Sequence, residues 1–445
     1  MLPWTLREVA ALTNGRMVGD PDRVVKGVVH DTRNVKKGDL FTAIRGARFD
    51  GHRFVKEAAE KGAAAVLVTK RVTTKVPQVL VADTTRALGD LGRSQRLQWG
   101  GPLVAVTGSV GKTTVKDMTA WLLEGSRRVL KTEGNLNNHW GLPLTLLRLE
   151  KGHQAAVVEL GINHPGEMEG LSDIARPDVA VVTRIGEAHL EFFRDRRQLA
   201  REKMMIAAHL REGGRNILNA NDALLRTNVE NVVTFGLKLG QVRALNLESE
   251  GLGTRFEIAA QGERVPAELH MPGLHNVSNA TAAVAAGLAL GLPLRKLVQR
   301  LASFRSQAPM RMEIKNLNGI LFVNDAYNAS PTSMEAALLT FDRMQGPKRK
   351  WAVLGDMLEL GEFSPETHYR IVKRALETSI DRVVLVGPRM GRAFERLEHP
   401  RKEKAQVFED VNEARAFLRR SSQKGDAVLL KASRGMKLER VLEGF

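Results

Sequence analysis

Residues 107–114, TGSVGKTT, combine the residue types that proteins use to hold a phosphate chain. Glycines let backbone N–H groups approach an anion closely, a lysine supplies positive charge, and threonine hydroxyls can bind Mg²⁺. The residues that offer this chemistry are Gly108, Ser109, Gly111, Lys112, Thr113 and Thr114. The usual pattern G-x-x-x-x-G-K-[ST] requires a glycine where this chain has Val106. The pattern alone leaves open a shortened phosphate-binding loop and a glycine-rich turn with an incidental lysine.

The elements around this loop favour the phosphate-binding alternative. The apolar run PLVAVT before it is typical of a buried strand, and Val115, Met118 and Leu122 after it recur at helical spacing. The loop would then lie between the end of a strand and the N-terminus of a helix. Free N–H groups and the helix dipole make such a position attractive for phosphate.

Two side chains that could bind a metal follow neighbouring strand-like segments. AAVVELG carries Glu159 near its end, and VAVVTRIGEAHLE leads into His189. Because the carboxyl ends of parallel strands meet at one edge of a sheet, we expect both side chains near the loop. A carboxylate and an imidazole are suitable ligands for Mg²⁺ at that edge. For His189, the local sequence leaves open a surface or helix-capping position.

Strand-like and helix-like segments alternate along the whole chain, which is typical of α/β layers with mainly parallel sheets. A chain of 445 residues is too long for one hydrophobic core, and its length indicates about three domains. Junctions that contain Gly or Pro, near residues 100 and 308, predict domains over 1–98, 99–308 and 309–445.

The composition excludes several classes of protein. The chain has no cysteine, so disulfides, thiolate metal sites and cysteine nucleophiles are excluded. No apolar run approaches the roughly 18 residues of a membrane span, and the N-terminus lacks the features of a secretion signal. The net charge is +17, but the basic runs are short and dispersed, which disfavours nucleic acid as the main partner. These features predict a cytoplasmic enzyme whose excess positive charge would attract anionic substrates.

Motifs along nearly the whole chain resemble those of the Mur ligases, ATP-dependent enzymes that extend the peptide of a UDP-muramyl precursor of peptidoglycan. The nucleotide loop of that family is the shorter form T-G-[ST]-x-G-K-T, which TGSVGKTT matches. Further matching segments are DTRNVKKGDLFTAIRGARFDGHRFVKEAAEKGA, NLNNHWGLPLTLL, ELGINHPGEM, RIGEAHLEFF, MPGLHNVSNATAA, NDAYNASPTSMEAAL, LGDMLELGEFSPETH and LLKASRGMKLE. The resemblance implies a small N-terminal α/β domain, a central P-loop ATPase domain with a mainly parallel sheet, and a C-terminal Rossmann-like domain.

The last three of these segments resemble the family member that joins D-alanyl-D-alanine to UDP-N-acetylmuramoyl-tripeptide. The Asp-Asn-Pro-Arg motif of the sister enzyme that adds diaminopimelate is absent from the sequence. By this resemblance, ATP activates the tripeptide carboxylate as an acyl phosphate, which the dipeptide amine then attacks, and the protein is expected to act as a monomer. The alternatives are a family ligase with a different amino-acid acceptor, an inactive nucleotide-binding homologue, and a basic nucleic-acid-binding ATPase.

The resemblance assigns the ATP and metal roles residue by residue. Lys112 would contact the β- and γ-phosphates of ATP, and Thr113 with Glu159 would hold a first Mg²⁺ ion. His189 and Lys203 would hold a second Mg²⁺ ion, with Lys203 present as a carbamate formed with CO₂. On its local pattern alone, Lys203 is a solvated lysine on a charged helix. The remaining ATP contacts would be Asn276 and Asn279 at the adenine, Arg311 at the phosphates and Asp325 at the ribose.

The resemblance also assigns the contacts to the other substrates. In the first domain, the UDP-sugar would be bound by Thr32, Arg33, Gly46, Asp50, Gly51 and His52. In the central domain, the muramyl-peptide would face Asn135, Asn137, Asn138 and His139. In the C-terminal domain, the incoming dipeptide would approach Asn328 and Ser330. Polar loop residues of these kinds are also common turn formers, which is the alternative for each of them.

Overall fold

The computed structural model describes residues 3–46, 49–187, 190–227, 231–250, 253–306 and 308–445. Within these ranges the chain forms three large sheets in succession, each with helices packed against it. The prediction of α/β layers with mainly parallel sheets is therefore confirmed. The sheets lie within the three predicted domain ranges, and the domain boundaries themselves stay a prediction.

The N-terminal segment builds the smallest of these sheets. Its elements are β1 (Trp4–Thr5), α1 (Leu6–Leu12), β2 (Arg16–Val18), β3 (Val24–Val25), β4 (Gly27–Val29), β5 (Asp39–Thr42), α2 (Val55–Glu60), β6 (Ala65–Val68), β7 (Gln78–Leu80) and α3 (Thr84–Trp99). The sheet has the strand order β2-β7-β6-β5-β4, in which the β2–β7 pair is antiparallel and the other pairs are parallel. β1 and β3 pair separately as an antiparallel ribbon.

The central segment builds the largest sheet. Its elements are β8 (Leu103–Thr107), α4 (Lys112–Glu124), β9 (Val129–Lys131), α5 (Gly141–Leu146), β10 (Ala155–Glu159), α6 (Glu167–Ala175), β11 (Val179–Val182), α7 (Arg196–Met204), β12 (Arg215–Asn219), β13 (Val232–Leu237), β14 (Val242–Glu250), β15 (Gly253–Ala260), β16 (Glu263–Leu269), α8 (Leu274–Ala289) and α9 (Leu294–Leu301). The strand order is β16-β15-β14-β13-β12-β11-β8-β10-β9. Pairing is parallel from β9 to β14, and β15 and β16 extend the sheet in antiparallel fashion.

Both faces of the central parallel sheet are buried, which explains why its strands read as continuous apolar runs. In β8, Val104 packs with Val115 and Met118 of α4 on one face. Leu103 packs with Leu142 of α5 on the other face. Because alternate side chains of a strand point to opposite faces, this packing fixes β8 between two helical layers and holds the loop after it at the edge of the sheet.

The C-terminal segment forms the third sheet. Its elements are β17 (Glu313–Leu317), β18 (Ile320–Asn324), α10 (Pro331–Asp342), β19 (Lys350–Gly355), α11 (Ser364–Glu377), β20 (Arg382–Val386), α12 (Pro388–Glu395), β21 (Ala405–Phe408), α13 (Val411–Ser421) and β22 (Ala427–Lys431). The strand order is β17-β18-β22-β19-β20-β21, with β17 antiparallel to β18 and the remaining pairs parallel.

Polar contacts join the central segment to each of the other two segments. Arg96 of α3 is 1% exposed, and its guanidinium donates to the carbonyl oxygen of Ala175 (3.0 Å) and to the carboxylate of Asp178 (2.8 Å) in the central segment. Between the central and C-terminal segments, Arg370 of α11 forms an ion pair with Glu187 at 2.5 Å. No helix in the described ranges is long and apolar enough to cross a membrane.

Candidate active site

A cavity of about 860 Å³ lies where the carboxyl ends of the central strands face β18 and α10. Many of the sequence-predicted residues line it, although they come from distant parts of the chain. These are Ser109, Gly111, Lys112, Thr113, Thr114, Asn135, Asn138, Glu159, Asn276, Asn279, Arg311, Asp325, Asn328 and Ser330. Gly108 and Lys203 are not part of the lining, and His189 lies outside the described residues.

The loop after β8 has the geometry of an anion site. Gly108 and Gly111 both adopt positive φ (148° and 85°), and Gly111 stands at the N-terminus of α4. A Cβ atom on Gly108 would lie 1.9 Å from the Thr183 hydroxyl, so the tight turn requires glycine there. The Ser109 hydroxyl is buried and has no hydrogen-bond partner among the described residues. A phosphate oxygen in the loop would satisfy that hydroxyl.

The electrostatics of the loop also favour an anion. The Lys112 ammonium folds back over the loop and donates to the carbonyl oxygen of Gly108 at 2.7 Å. Burial lowers the pKa of Lys112, Glu159 acts in the opposite direction, and the nearby Arg311 lowers this pKa further. Lys112 and Arg311 therefore repel each other across the cavity, and an anion between them would relieve that repulsion.

Thr113 and Glu159 form the pair of oxygen donors predicted for Mg²⁺. The Thr113 hydroxyl donates to Glu159 Oε2 at 2.7 Å, and Glu159 is 3% exposed at the end of β10. A hydroxyl and a carboxylate beside a phosphate loop fit a hard, oxygen-seeking cation such as Mg²⁺. Within the described residues, no group of three or more His, Asp or Glu side chains could hold a metal ion. The role of this pair as Mg²⁺ ligands stays a prediction.

Lys203 is a buried residue of α7, with 1% of its surface exposed. The local sequence alone makes it a solvated lysine of a charged helix, and the structure corrects that alternative. Burial lowers the pKa of Lys203 well below its ordinary value, and the charge of Lys112 acts in the same direction. Glu202 and Glu159 oppose the shift. Lys203 therefore lies within electrostatic reach of both the loop lysine and the carboxylate at the end of β10.

The predicted adenine contacts pack against the phosphate loop. Asn276 is buried at the start of α8 and donates to the carbonyl oxygen of Pro272 at 2.8 Å. Asn279 donates to Asn276 Oδ1 at 3.2 Å. A Cβ atom on Gly111 would lie 2.5 Å from Asn279 Oδ1, so this asparagine touches the loop backbone directly. Adenine recognition by this pair stays a prediction, and the contacts show that the pair also holds the loop against α8.

Arg311 reaches the cavity from the start of the C-terminal segment. Its guanidinium lies over the ring of Tyr327, 4.1 Å from the ring centroid. The flanking residues Met310 and Met312 adopt φ values of 57° and 52°, which residues other than glycine rarely adopt. Local backbone strain of this kind is concentrated at functional sites. The charge of Arg311 is near enough to the loop to lower the pKa of Lys112.

Sequence reasoning missed several residues of the cavity wall, and Lys431 and His275 are two of them. Lys431 at the end of β22 is 2% exposed and donates to Asp325 Oδ2 at 2.6 Å. It also donates to the carbonyl oxygen of Asn328 at 3.1 Å. A lysine that ends an apolar strand, in LLKASRG, was the available signal. For His275, burial is the main cause that lowers the pKa to about 4, so the imidazole is neutral near pH 7.

The predicted dipeptide and muramyl-peptide contacts have structural partners as well. Ser330 begins α10 and forms a capping box with Ser333. Asn328 Oδ1 accepts from the backbone N–H of Ala329 at 2.9 Å. Asn138 Oδ1 accepts from the backbone N–H of Gly141 at 2.9 Å, whereas Asn135 is exposed. Their substrate roles stay predictions.

The residues predicted to bind the UDP-sugar lie in the N-terminal segment, away from the cavity lining. Asp50 Oδ1 accepts from the His52 ring Nδ1 at 2.6 Å, and His52 Nε2 accepts from the backbone N–H of Thr69 at 2.9 Å. Arg33 pairs with Asp31 at 2.5 Å, and 85% of its side chain is exposed. Thr32 begins a short 3₁₀ helix, and Gly51 approaches the backbone of Ile44. A Cβ atom on Gly46 would lie 3.7 Å from the Trp140 ring.

A phosphate loop at the end of a parallel sheet, with a carboxylate beside it and an arginine arriving from a second α/β unit, defines an ATP-dependent enzyme of the P-loop class. The chain matches the family descriptions "Mur ligase family, catalytic domain" over residues 24–96, "Mur ligase middle domain" over 106–287, and "Mur ligase, glutamate ligase domain" over 310–434. The chain belongs to the Mur ligase family.

Individual relatives are similar over nearly their full length. The UDP-N-acetylmuramoyl-tripeptide–D-alanyl-D-alanine ligase of Bacillus subtilis is 36% identical, with 100% of this chain and 98% of that protein covered. The Escherichia coli enzyme of the same name is 37% identical, with 87% and 86% covered. A crystal structure of MurF from Acinetobacter baumannii has a TM-score of 0.93 at 34% identity and covers 99% of this chain and 98% of that one. MurF from Thermotoga maritima in complex with ADP has a TM-score of 0.83 at 33% identity, with 94% and 96% covered.

Proposed function

We propose that the protein is an ATP-dependent amide ligase that joins D-alanyl-D-alanine to UDP-N-acetylmuramoyl-tripeptide. The observation that carries the proposal is the cavity in which Lys112 and Glu159 of the central segment face Arg311 and Asp325 of the C-terminal segment. The printed names of the Bacillus subtilis and Escherichia coli relatives support the choice of substrates. The ADP complex of the Thermotoga maritima neighbour supports the nucleotide.

The first step of the proposed reaction activates the tripeptide. Its carboxylate attacks the γ-phosphorus of ATP, and the bond from that phosphorus to the oxygen that bridges the β- and γ-phosphates breaks. ADP departs, and the tripeptide carboxylate has become an acyl phosphate. This step depends on positioning and on cations that stabilise the charge of the transferring group. The charges of Lys112 and Arg311 at this cavity support such a role for them, and Thr113 with Glu159 would hold a Mg²⁺ ion that would neutralise further phosphate charge.

The second step forms the amide. The dipeptide amine attacks the acyl carbon, the bond from that carbon to the phosphate oxygen breaks, and inorganic phosphate leaves while the nitrogen loses a proton. Asn328 and Ser330 face the same cavity as the phosphate loop, which supports a role near the incoming dipeptide. The enzyme would hold both reactants in place and so convert an encounter in solution into a reaction within one complex.

Lys203 is proposed to carry a carbamate that helps to hold a second Mg²⁺ ion. A carbamate forms when a neutral amine attacks CO₂ and loses a proton, so the lowered pKa of Lys203 favours the reactive form. The product is negative, so the charge of Lys112 that disfavours a protonated Lys203 would favour the carbamate. His189 stays the predicted partner of Lys203 at this ion.

We propose further that residues 1–98, 99–308 and 309–445 act as the UDP-sugar, ATP and dipeptide domains, because each range contains one of the large sheets. A monomer is part of the same proposal. ATP and a UDP-linked precursor as substrates support a reaction in the cytoplasm.

The proposed function is tested by an ATP-dependent phosphate-release assay, with the product identified by mass spectrometry. We expect turnover with D-alanyl-D-alanine plus UDP-N-acetylmuramoyl-tripeptide and none with single amino acids plus the shorter UDP-muramyl-peptides. Turnover with another acceptor would indicate a different ligase of the family. Nucleotide binding without turnover on any pair would indicate an inactive homologue. Stimulation of ATP hydrolysis by RNA or DNA alone would contradict the proposal.

A further inference from the structure

Both carboxylate oxygens of Glu159 are held by side chains. Thr113 of the phosphate loop donates to Oε2 at 2.7 Å, and Asn137 donates its side-chain N–H to Oε1 at 2.8 Å. The backbone N–H of Glu159 donates to the Thr132 hydroxyl at 3.0 Å. Thr132 in turn accepts at its carbonyl oxygen from the buried ammonium of Lys116 at 2.9 Å. The orientation of Glu159 is therefore fixed from three directions, and Asn137 supplies the contact that comes from outside the loop and the sheet.

Asn137 is itself fixed by a glycine. The backbone N–H of Gly161 donates to the carbonyl oxygen of Asn137 at 2.8 Å. A Cβ atom on Gly161 would lie 2.9 Å from both Cγ and Nδ2 of Asn137. Any side chain at position 161 would therefore displace the amide group that contacts Glu159. The packing against Gly161 therefore holds the Asn137 amide against the carboxylate of Glu159.

The asparagines of the segment NLNNHWG consequently have different surroundings. Asn138 uses its side-chain oxygen to accept the backbone N–H groups of Trp140 and Gly141 at 3.1 and 2.9 Å. Asn135 is exposed at the cavity, where a muramyl-peptide could meet it. Asn137 alone of the three contacts Glu159. The expectation that the whole segment faces the muramyl-peptide therefore does not account for Asn137.

We propose that Asn137 is a positioning residue for the Mg²⁺ ligand Glu159. This inference rests on the proposed function, because it presumes that Glu159 holds a metal ion beside ATP. A neutral amide donor fixes the carboxylate and leaves its negative charge uncompensated, whereas a lysine or arginine would cancel that charge. Groups that orient a metal ligand in this way commonly change metal affinity by about 10- to 100-fold when they are lost.

The test measures ADP binding by calorimetry over a series of Mg²⁺ concentrations, without any muramyl substrate. Asn137→Leu removes the donor at similar volume, and Gly161→Ala displaces it while Asn137 remains. For both variants we expect the Mg²⁺ concentration for half-maximal ADP affinity to rise about tenfold, with ADP binding in EDTA unchanged. The KM for the UDP-muramyl-peptide, measured at saturating Mg²⁺, should change less than threefold.

Glu133→Gln is the matched control, because Glu133 lies in the adjoining turn and forms an exposed ion pair with Arg148. It should leave the Mg²⁺ dependence unchanged. If Asn137→Leu does not fold, as judged by its melting temperature in EDTA, Gly161→Ala carries the test. An unchanged Mg²⁺ dependence together with a raised KM for the muramyl substrate would overturn the inference and return Asn137 to substrate binding. Absence of any Mg²⁺ effect on ADP binding by the unmodified protein would instead overturn the proposed metal site, and the inference with it.

Discussion

The predicted nucleotide site and the predicted UDP-sugar site differ in how their residues are bonded. In the cavity, cations face one another and the Ser109 hydroxyl is buried without a partner among the described residues. In the N-terminal segment, the polar residues satisfy one another. Asp50 pairs with His52, and Arg33 pairs with Asp31. The buried cations and hydroxyl of the cavity would be stabilised by an anion. The polar residues of the N-terminal segment already have hydrogen-bond or ion-pair partners within the protein.

The difference separates residues that contact a ligand from residues that shape a loop. His52 bridges Asp50 and Thr69, and a Cβ atom on Gly51 would lie 2.7 Å from the backbone nitrogen of Ile44. These residues stabilise the loop in the protein alone, and a bound UDP-sugar would have to share their hydrogen-bonding groups. Arg33 is exposed, and its side-chain partner among the described residues is Asp31. An ion pair at the surface is a weak competitor for a diphosphate. We therefore expect Arg33, more than its neighbours, to report on substrate binding.

The largest effect should come from Lys112→Ala, which removes the cation at the centre of the nucleotide site. We expect turnover to fall by about 10³-fold, because the charge on the transferring phosphoryl group loses a preorganised partner. Phosphate release measures the effect, and an unchanged circular dichroism spectrum shows that the fold persists. Lys151→Ala, at an exposed turn, is the control. Near-normal turnover in folded Lys112→Ala would remove the loop from the mechanism.

Lys203→Ala should reduce turnover by about 10²-fold through loss of an anionic ligand. Millimolar formate or acetate should restore part of the activity by occupying the space near Lys112. Stripping CO₂ from the buffer should lower the activity of the unmodified protein, and added bicarbonate should restore it. Lys296→Ala, on an exposed face of α9, should respond to none of these treatments. A silent Lys203→Ala, with no response to CO₂, would show that the lysine has only a structural role.

Arg33→Ala should raise the KM for the UDP-muramyl-peptide about tenfold, because a charge-assisted contact to the diphosphate is lost. The affinity for ADP should stay the same, which would separate the N-terminal site from the nucleotide cavity. Arg7→Ala is the control, since Arg7 forms a comparable exposed pair with Asp22. Equal KM values for Arg33→Ala and the unmodified protein would exclude the diphosphate contact.

The smallest effect concerns His275 and acid stability. Burial, opposed by Asp325 and assisted by Lys431 and Arg184, lowers the pKa of this histidine to about 4. The unfolded chain then binds more protons than the folded one between about pH 4 and 6.5, so stability is full above pH 6.5 and falls towards pH 4. His275→Gln should lessen the drop in melting temperature between pH 7.5 and 5 by about 2 °C. A parallel drop in both proteins would contradict this prediction.

The sequence was most informative where chemistry is local. The loop of residues 107–114 has its glycines, lysine and threonine in one run, and the apolar runs beside it predicted the strand and the helix. Contacts such as Lys431 with Asp325, 106 residues apart, depend on how β22 pairs with β18 and follow from no local pattern. The antiparallel extension β15–β16 was likewise missed, because its strands mix charged and apolar residues.

Burial was the other property that local patterns could not supply. Lys203 stands in the charged run RRQLAREKM, and only the packing of α7 against the sheet reveals that its ammonium is enclosed. Asn137 shows the same limit, since its neighbours in NLNNHWG are equally polar and only the close approach of Gly161 sets it apart. Side-chain identity was available from the sequence, whereas the dielectric surroundings of each side chain were not.

The position of Arg311 has a consequence for how much ATP would be hydrolysed without forming product. The cations that flank the cavity are divided between two parts of the chain, with Lys112 in one and Arg311 in the other. A molecule whose C-terminal segment stood apart would hold ATP without the charge of Arg311. The γ-phosphate would then be poorly activated for attack by water. With Lys112 and Arg311 in their proposed roles, the division of charge between the two segments would tie phosphoryl transfer to their assembly around the peptide and would limit ATP hydrolysis without product.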